Sequence, residues 1–200
     1  MASGSRQLIV FLRAPALGRV KRRLARGIGD LAALRFYREC SASVLAAAQD
    51  RRWRTTLAVT PDRARLPHDW RAPARIEQGR GDLGRRMAHA MARVPPGPVL
   101  LIGSDLPELR RAHIARAFAV LGTHDVVFGP ASDGGYWLIG FARRPLPRGL
   151  FAKVRWSSAQ ALADTRANLP RRLREKLVDE LSDVDEAGSY RLIRRQRDAR

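Results

Sequence analysis

The chain has 200 residues, and 38 lysines and arginines stand against 19 aspartates and glutamates, a formal net charge of +19. That length suits one domain with a sizeable core and excludes a long multidomain assembly. A 45% hydrophobic and 28% charged composition is that of a globular chain and excludes one that is disordered throughout.

Lysine occurs only at Lys21, Lys153 and Lys176, so 35 of the basic residues are arginine. Abundant Arg, Ala, Gly and Pro with scarce Lys is the composition of a GC-rich genome, and this bias accounts for charge without function. The other source of such charge is a polyanionic partner, a nucleic acid or a phosphorylated ligand. Position, rather than the total, separates the two. Cys40 is the one cysteine, so no intrachain disulfide and no cysteine metal cluster can form. The apolar run Leu8–Leu12 is too short for a signal-peptide core, and no run reaches membrane-spanning length. The expectation is a soluble, cytoplasmic protein.

In chain order, Leu8–Leu12 predicts a buried strand, with β-branched residues at its middle. A Pro/Gly loop, RAPALGRVKRR, follows. Helical spacing of Leu31, Leu34, Tyr37, Val44 and Leu45 predicts a helix over Asp30–Ala48, with Asp30 as its N-cap. Thr55–Thr60 predicts a second strand and Ala74–Gln78 a short third one. Asp82 is placed to cap a helix running through RRMAHAMARV to Pro95-Pro96. Pro98–Ile102 predicts a buried strand, Arg111–Leu121 a helix, and Val126–Phe128 and Tyr136–Phe141 two more strands. Ser157–Leu169 predicts a helix, and Leu181–Asp185 leads into a last helix ending near Arg195. Trp53 and Trp70 read as core residues, and the four histidines show no ligand spacing.

Strands alternating with helices predict one α/β domain over residues 1–200, a three-layer α/β/α sandwich with a mainly parallel central sheet. Its core spans about 7–193, with frayed ends. Open sheets of this kind bind ligands beyond the carboxyl ends of their strands. Three chemically loaded segments follow strands in that way: RAPALGRVKRR, GSDLP and ASDGG.

The first segment puts Arg13, Arg19, Lys21, Arg22, Arg23 and Arg26 within fourteen residues, with no acid among them. Gly18 lets backbone come close to a ligand, and arginine forks match phosphate oxygens. Cations at a helix start oppose the helix dipole, so helix stability gives no reason for them. We read the segment as a diphosphate cradle rather than a Walker loop, because the Gly-Lys-Ser/Thr ending is missing. In GSDLP, Asp105 stands where a hard divalent cation, Mg²⁺ or Mn²⁺, can be held, or where it caps the next helix. Ser104 beside it joins the nucleotide-binding candidates. In ASDGG, Asp133 with Gly134 and Gly135 reads either as a close backbone approach to a ligand or as a hairpin turn. Asp183 and Asp185, two apart, could share a metal if extended, or serve as a surface carboxylate and a helix cap. Trp137 and Trp156 are packing residues or stacking surfaces near this site.

In combination, VFLRAPALGRVKRRLA, EQGRGDLGRRM, LLIGSDLPEL, GPASDGGYWLIGF, VRWSSAQAL and DVDEAGSY resemble one family from about Gln7 to Ile193. It is the bacterial radical-SAM/selenodomain-associated transferase family, of the nucleotide-diphospho-sugar transferase (GT-A) fold. It is similar at a distance to 2-phospholactate and molybdenum-cofactor guanylyltransferases. The resemblance implies a metal-dependent transferase acting on a nucleotide-activated donor and a small or lipid-like acceptor, either a glycosyltransferase or a nucleotidyltransferase coupling an NTP to a phosphorylated molecule. It gives Asp105 the metal role, completed by Asp183 and Asp185. Gln78, Gly79, Asp82 and Arg86 would line the nucleotide pocket. Asp133, a candidate base, would sit with Gly134, Gly135 and Trp156 beside the transferred group. The chain departs from the family's pattern at Arg13, Arg22 and Glu186. A nucleic-acid partner ranks last, since no such motif occurs and aromatic residues make up only 6%.

Overall fold

A computed structural model describes residues 5–70, 74–142, 145–182 and 190. The first strand, β1 (Gln7–Arg13), is buried on both faces, which is why its sequence is an unbroken apolar run rather than an alternating one. Next come α1 (Arg22–Ile28), α2 (Asp30–Ala48), β2 (Arg54–Thr60), β3 (Ala74–Glu77), α3 (Leu83–Arg93), β4 (Val99–Gly103) and α4 (Arg111–Val120). The described elements end with β5 (Val126–Pro130), β6 (Tyr136–Phe141), α5 (Ala161–Ala167) and β7 (Glu175–Leu177). The seven strands form one sheet in the order β3-β2-β1-β4-β6-β5-β7, and β6 alone runs antiparallel to its neighbours.

Alternate residues of each strand feed opposite layers. Leu8, Val10 and Leu12 pack with Tyr37, Val44 and Leu45 of α2 and with Ile114 and Phe118 of α4. Ile9, on the other face, packs with Met87, Ala90 and Met91 of α3, and Leu162 of α5 lies against the same cluster. This is the expected α/β/α sandwich.

Several boundaries differ from the sequence expectation. The first loop contains α1, whose few apolar residues gave a weak helical signal. Leu24 nevertheless seals against Ala33, Phe36 and Cys40 of α2. Gly29, at φ 84°, is the N-cap of α2, so Asp30 is that helix's first residue instead. The helix expected over Ser157–Leu169 shrinks to α5, because Ser157 takes φ 57° and the Ser158 hydroxyl accepts the N–H of Gln160. Serine hydroxyls offer the backbone such alternatives to helix. β7 was not expected: Glu-Lys-Leu lacks apolar alternation, yet it pairs parallel with β5. Leu181 forms a parallel bridge with Ala131. Asp183, Asp185, Glu186 and most of the expected last helix lie outside the described residues.

Candidate active site

The chain winds outward from β1 in one direction through β2 and β3, and in the other through β4. Helices therefore diverge above the carboxyl ends of β1 and β4 and leave a crevice there. Arg13 ends β1, and Gly103, Ser104 and Asp105 end β4 and follow it. Tyr37 of α2 spans the two strand ends. Its hydroxyl donates to the Arg13 carbonyl at 2.7 Å, accepts the Arg13 N–H at 3.1 Å and lies 3.3 Å from Ser104 Oγ. Burial pushes the Tyr37 hydroxyl above its ordinary pKa and the charge of Asp105 adds to this, while hydrogen bonding to Ser104 opposes it. The phenol is thus held protonated, as its donation to Arg13 requires. Among apolar helix positions Tyr37 looked like core, and only its hydroxyl hinted at this role.

The crevice has two chambers. The larger, about 620 Å³, is lined by Arg13, Arg19, Lys21, Arg22 and Arg23 together with Phe11, Val20, Tyr37, Ser104, Asp105, Asp133 and Ser157. Five of the first loop's six cations thus line the chamber with the candidate carboxylates; the Lys21 side chain is buried, the four arginines are exposed, and Arg26 does not take part. Gly18, at φ 68°, makes the turn that delivers Arg19 without lining the chamber itself. The smaller chamber, about 260 Å³, has walls from Met87, Leu101, Leu106, Tyr136, Trp137 and Trp156. Phe11, Asp105, Asp133 and Ser157 line both, so the chambers meet at two carboxylates.

Lys21 Nζ lies 2.7 Å from Asp105 Oδ2, with 3% of the lysine side chain exposed against 36% of the aspartate's. Lys21 reaches inward because its backbone is left-handed, at φ 45°, immediately before α1. The ammonium therefore sits where a cation on that oxygen would sit. Among the described residues, no group of three or more His, Cys, Asp or Glu could hold a metal ion. A divalent ion, which takes six or more oxygen ligands, would need donors beyond Asp105 and would share it with Lys21. The described donor set does not by itself fit a divalent ion.

Asp133 heads the turn between β5 and β6, and its Oδ1 accepts the Gly135 N–H at 2.8 Å. The segment forms the turn between these two paired strands, and Asp133 and Gly135 also line the crevice. Gly134, at φ 83°, lies against the chain's own backbone: a Cβ there would fall 2.2 Å from the Ala159 carbonyl oxygen. The Gly134 carbonyl also accepts the Leu162 N–H at 3.1 Å, which ties the turn to α5. Trp156 packs edge-on to Tyr136, with 6.5 Å between ring centres.

Gln78, Gly79, Asp82 and Arg86 line neither chamber. Gln78, 1% exposed, donates from Nε2 to the carbonyls of Leu12 and Ala58 at 2.9 and 2.8 Å, and its Oε1 accepts from Arg86. The Arg86 guanidinium lies over the Phe11 ring at 5.6 Å. Burial lowers its pKa and neighbouring Arg13 lowers it further, while Asp62 opposes both. The Gly79 N–H donates to Asp62 at 3.3 Å, and Asp82 caps α3 by accepting the Arg85 N–H at 2.8 Å. These residues fasten β1, β2 and α3 beneath the crevice. Gln78→Ala removes the partners of two buried carbonyls and part of Arg86's anchorage. It should destabilise the protein by about 1–3 kcal/mol, seen as a lower urea midpoint at unchanged m-value.

The profile of a bacterial family, described as "Uncharacterized protein conserved in bacteria (DUF2064)", matches residues 43–158, more than half of the chain. The chain belongs to this family. The DUF2064 span carries the GSDLP and ASDGG segments, Gln78, Arg86 and Trp156, while the basic loop precedes it. A crystal structure from Desulfovibrio desulfuricans G20, named as a presumed nucleotide-diphospho-sugar transferase, is 30% identical, with a TM-score of 0.83 over 91% of this chain and 83% of its own. CMP:2-keto-3-deoxy-manno-octonic acid synthetase complexed with CTP is 12% identical, with a TM-score of 0.60 over 98% and 99% of the two chains. Rv0371c from Mycobacterium tuberculosis H37Rv, complexed with manganese, is 19% identical, with a TM-score of 0.52 over 94% and 97%. The fold of this DUF2064 member is the GT-A-like fold of nucleotide-diphospho-sugar transferases. No curated protein matches the chain significantly. Among the described residues, no helix is long and apolar enough to cross a membrane.

Proposed function

We propose that the protein is a transferase that takes a glycosyl group from a nucleotide-activated sugar and passes it to a small acceptor. The observation that carries this reading is the chamber at the β1–β4 crevice, which five basic residues line together with Asp105 and Asp133. Cations held there before the reaction suit a diphosphate, and suit it better as the leaving group gains charge. Arg13, Arg19, Lys21 and Arg23 would hold the phosphates, with Lys21 oriented by Asp105. The acceptor hydroxyl would attack the anomeric carbon as the bond from that carbon to the phosphate oxygen breaks. Asp133, at the junction of the chambers, would take the hydroxyl proton, and the nucleoside diphosphate would leave with the electron pair.

The manganese found with Rv0371c keeps a divalent ion in the proposal as a cofactor to be tested. Asp105 would be its described ligand, with Asp183 and Asp185 completing the set. Calorimetric titration with UDP-, GDP- and CDP-sugars, with and without Mg²⁺ or Mn²⁺, tests the reading. One nucleotide class should bind. Arg19→Ala combined with Arg23→Ala should weaken it at least tenfold, since each charge-assisted hydrogen bond contributes about 1.5–3 kcal/mol. If no nucleotide binds under any condition, the reading is wrong.

A further inference from the structure

The smaller chamber opens onto the same two carboxylates as the basic one, yet its lining is of a different kind. No lysine or arginine lines it, whereas five line its neighbour. Resting on the donor reading above, we propose that this chamber seats the acceptor, and that the acceptor is an uncharged alcohol carried on a single ring or short apolar body. A phosphorylated or carboxylated acceptor is excluded.

The walls are fixed before any ligand arrives. The Trp137 indole N–H donates to the Asp179 carbonyl at 2.9 Å, and the ring covers Gly129 so closely that a Cβ there would fall 2.3 Å from it. Trp156 is held in the same way over Gly84, where a Cβ would fall 2.7 Å from its ring. Trp137 is 4% exposed and packs in the α2/α4 layer, so it backs the wall, while the half-buried Trp156 supplies a ring surface already in place, which binds an apolar ring without a further ordering penalty. An anion in the same space would lose its hydration, find no cation, and face Asp105 and Asp133. At about 260 Å³ the chamber falls below the range of about 300–1,000 Å³ that suits drug-sized ligands, so its occupant is small. The position of the hydroxyl follows from the shape. With the apolar body against Trp156 and Tyr136, the polar end points toward Asp133 and Ser157, where the chambers join.

The choice of acceptor also separates two reactions. A nucleotidyltransferase that couples an NTP to a phosphorylated molecule must place that second phosphate beside the nucleotide, and no lysine or arginine lines this chamber to neutralise it. Glycosyl transfer to a neutral hydroxyl needs none.

The test uses the full chain and a matched pair of probes, benzyl alcohol and benzyl phosphate, titrated while the four indole N–H resonances are followed by NMR. Trp53, stacked on Phe118 away from both chambers, is the internal control. Benzyl alcohol should shift Trp156 saturably and leave Trp53 still. Benzyl phosphate should act on the Trp156 signal at least tenfold more weakly. Leu83→Arg places a cation at the exposed rim of the chamber and should narrow or reverse that preference. Equal or tighter response to the phosphate, or no shift of Trp156 with either probe, overturns the proposal. Neither probe carries a nucleotide, so a failure here is distinguishable from failure of the donor titration.

Discussion

Asp105→Asn should lower stability and nucleotide affinity together. The change leaves the almost fully buried Lys21 ammonium without its carboxylate. Removing one partner of a fully buried pair costs about 3–5 kcal/mol. Because Asp105 is itself 36% exposed, a loss of about 1–3 kcal/mol is expected here. The same change frees Lys21 from the orientation that aims it along the basic chamber, so affinity for the bound nucleotide should fall at least tenfold. A double-mutant cycle with Lys21→Met isolates the pair: the two substitutions should couple by about 1–3 kcal/mol in urea unfolding, since residues in one ion pair do not act additively. Additive single and double variants would show that the 2.7 Å contact carries no energy and that Lys21 is held by other groups.

Gly134→Ala should be the most destabilising single-methyl change in the crevice. Two penalties combine. The residue sits at φ 83°, where a side chain costs about 1–2 kcal/mol. The added carbon would also fall 2.2 Å from the Ala159 carbonyl oxygen and 2.6 Å from the Ala159 Cα, both backbone atoms. Relieving that overlap requires the segment before α5 to move, and such overpacking costs typically 1–3 kcal/mol. The expected loss is therefore about 2–5 kcal/mol. Gly135→Ala is the control, because the nearest atoms to its new carbon are those of the Asp133 carboxylate, the first at 3.0 Å, rather than backbone, and its φ lies outside the left-handed region. Comparable losses for both variants, measured by denaturant unfolding, would refute the account.

The sheet was legible in the sequence because its central strands are buried on both faces and announce themselves as apolar runs, Leu8–Leu12 and Val99–Ile102. The position of the loop segments that line the crevice was legible for the same reason: polar segments that follow such runs must emerge at the carboxyl edge. What the sequence hid was partnership. Lys21 and Asp105 are far apart along the chain, and each was read by its own chemistry, as a phosphate ligand and a cation ligand. Their contact depends on a left-handed residue that no local pattern marks. Tyr37 was masked by helical periodicity, and Gln78 and Gly134 acquired their roles from buried carbonyls and from a crossing segment on other elements. β7 escaped because an exposed border strand needs no apolar alternation.

The two borders of the sheet have a bearing on how the protein behaves in concentrated solution. An open strand edge is a template on which a second chain can lengthen the sheet, and long flat apolar edges invite such growth. Among the described residues the borders are β3, of four residues, and β7, of three. Arg75 and Glu77 stud the first, and Glu175 and Lys176 the second. A neighbouring molecule laid against either border would gain only a few ladder hydrogen bonds while dehydrating charged side chains. The formal charge of +19 adds repulsion between copies at long range. Resistance to edge-to-edge fibre growth is thus built into the two least conspicuous strands, and should weaken as salt screens the charge.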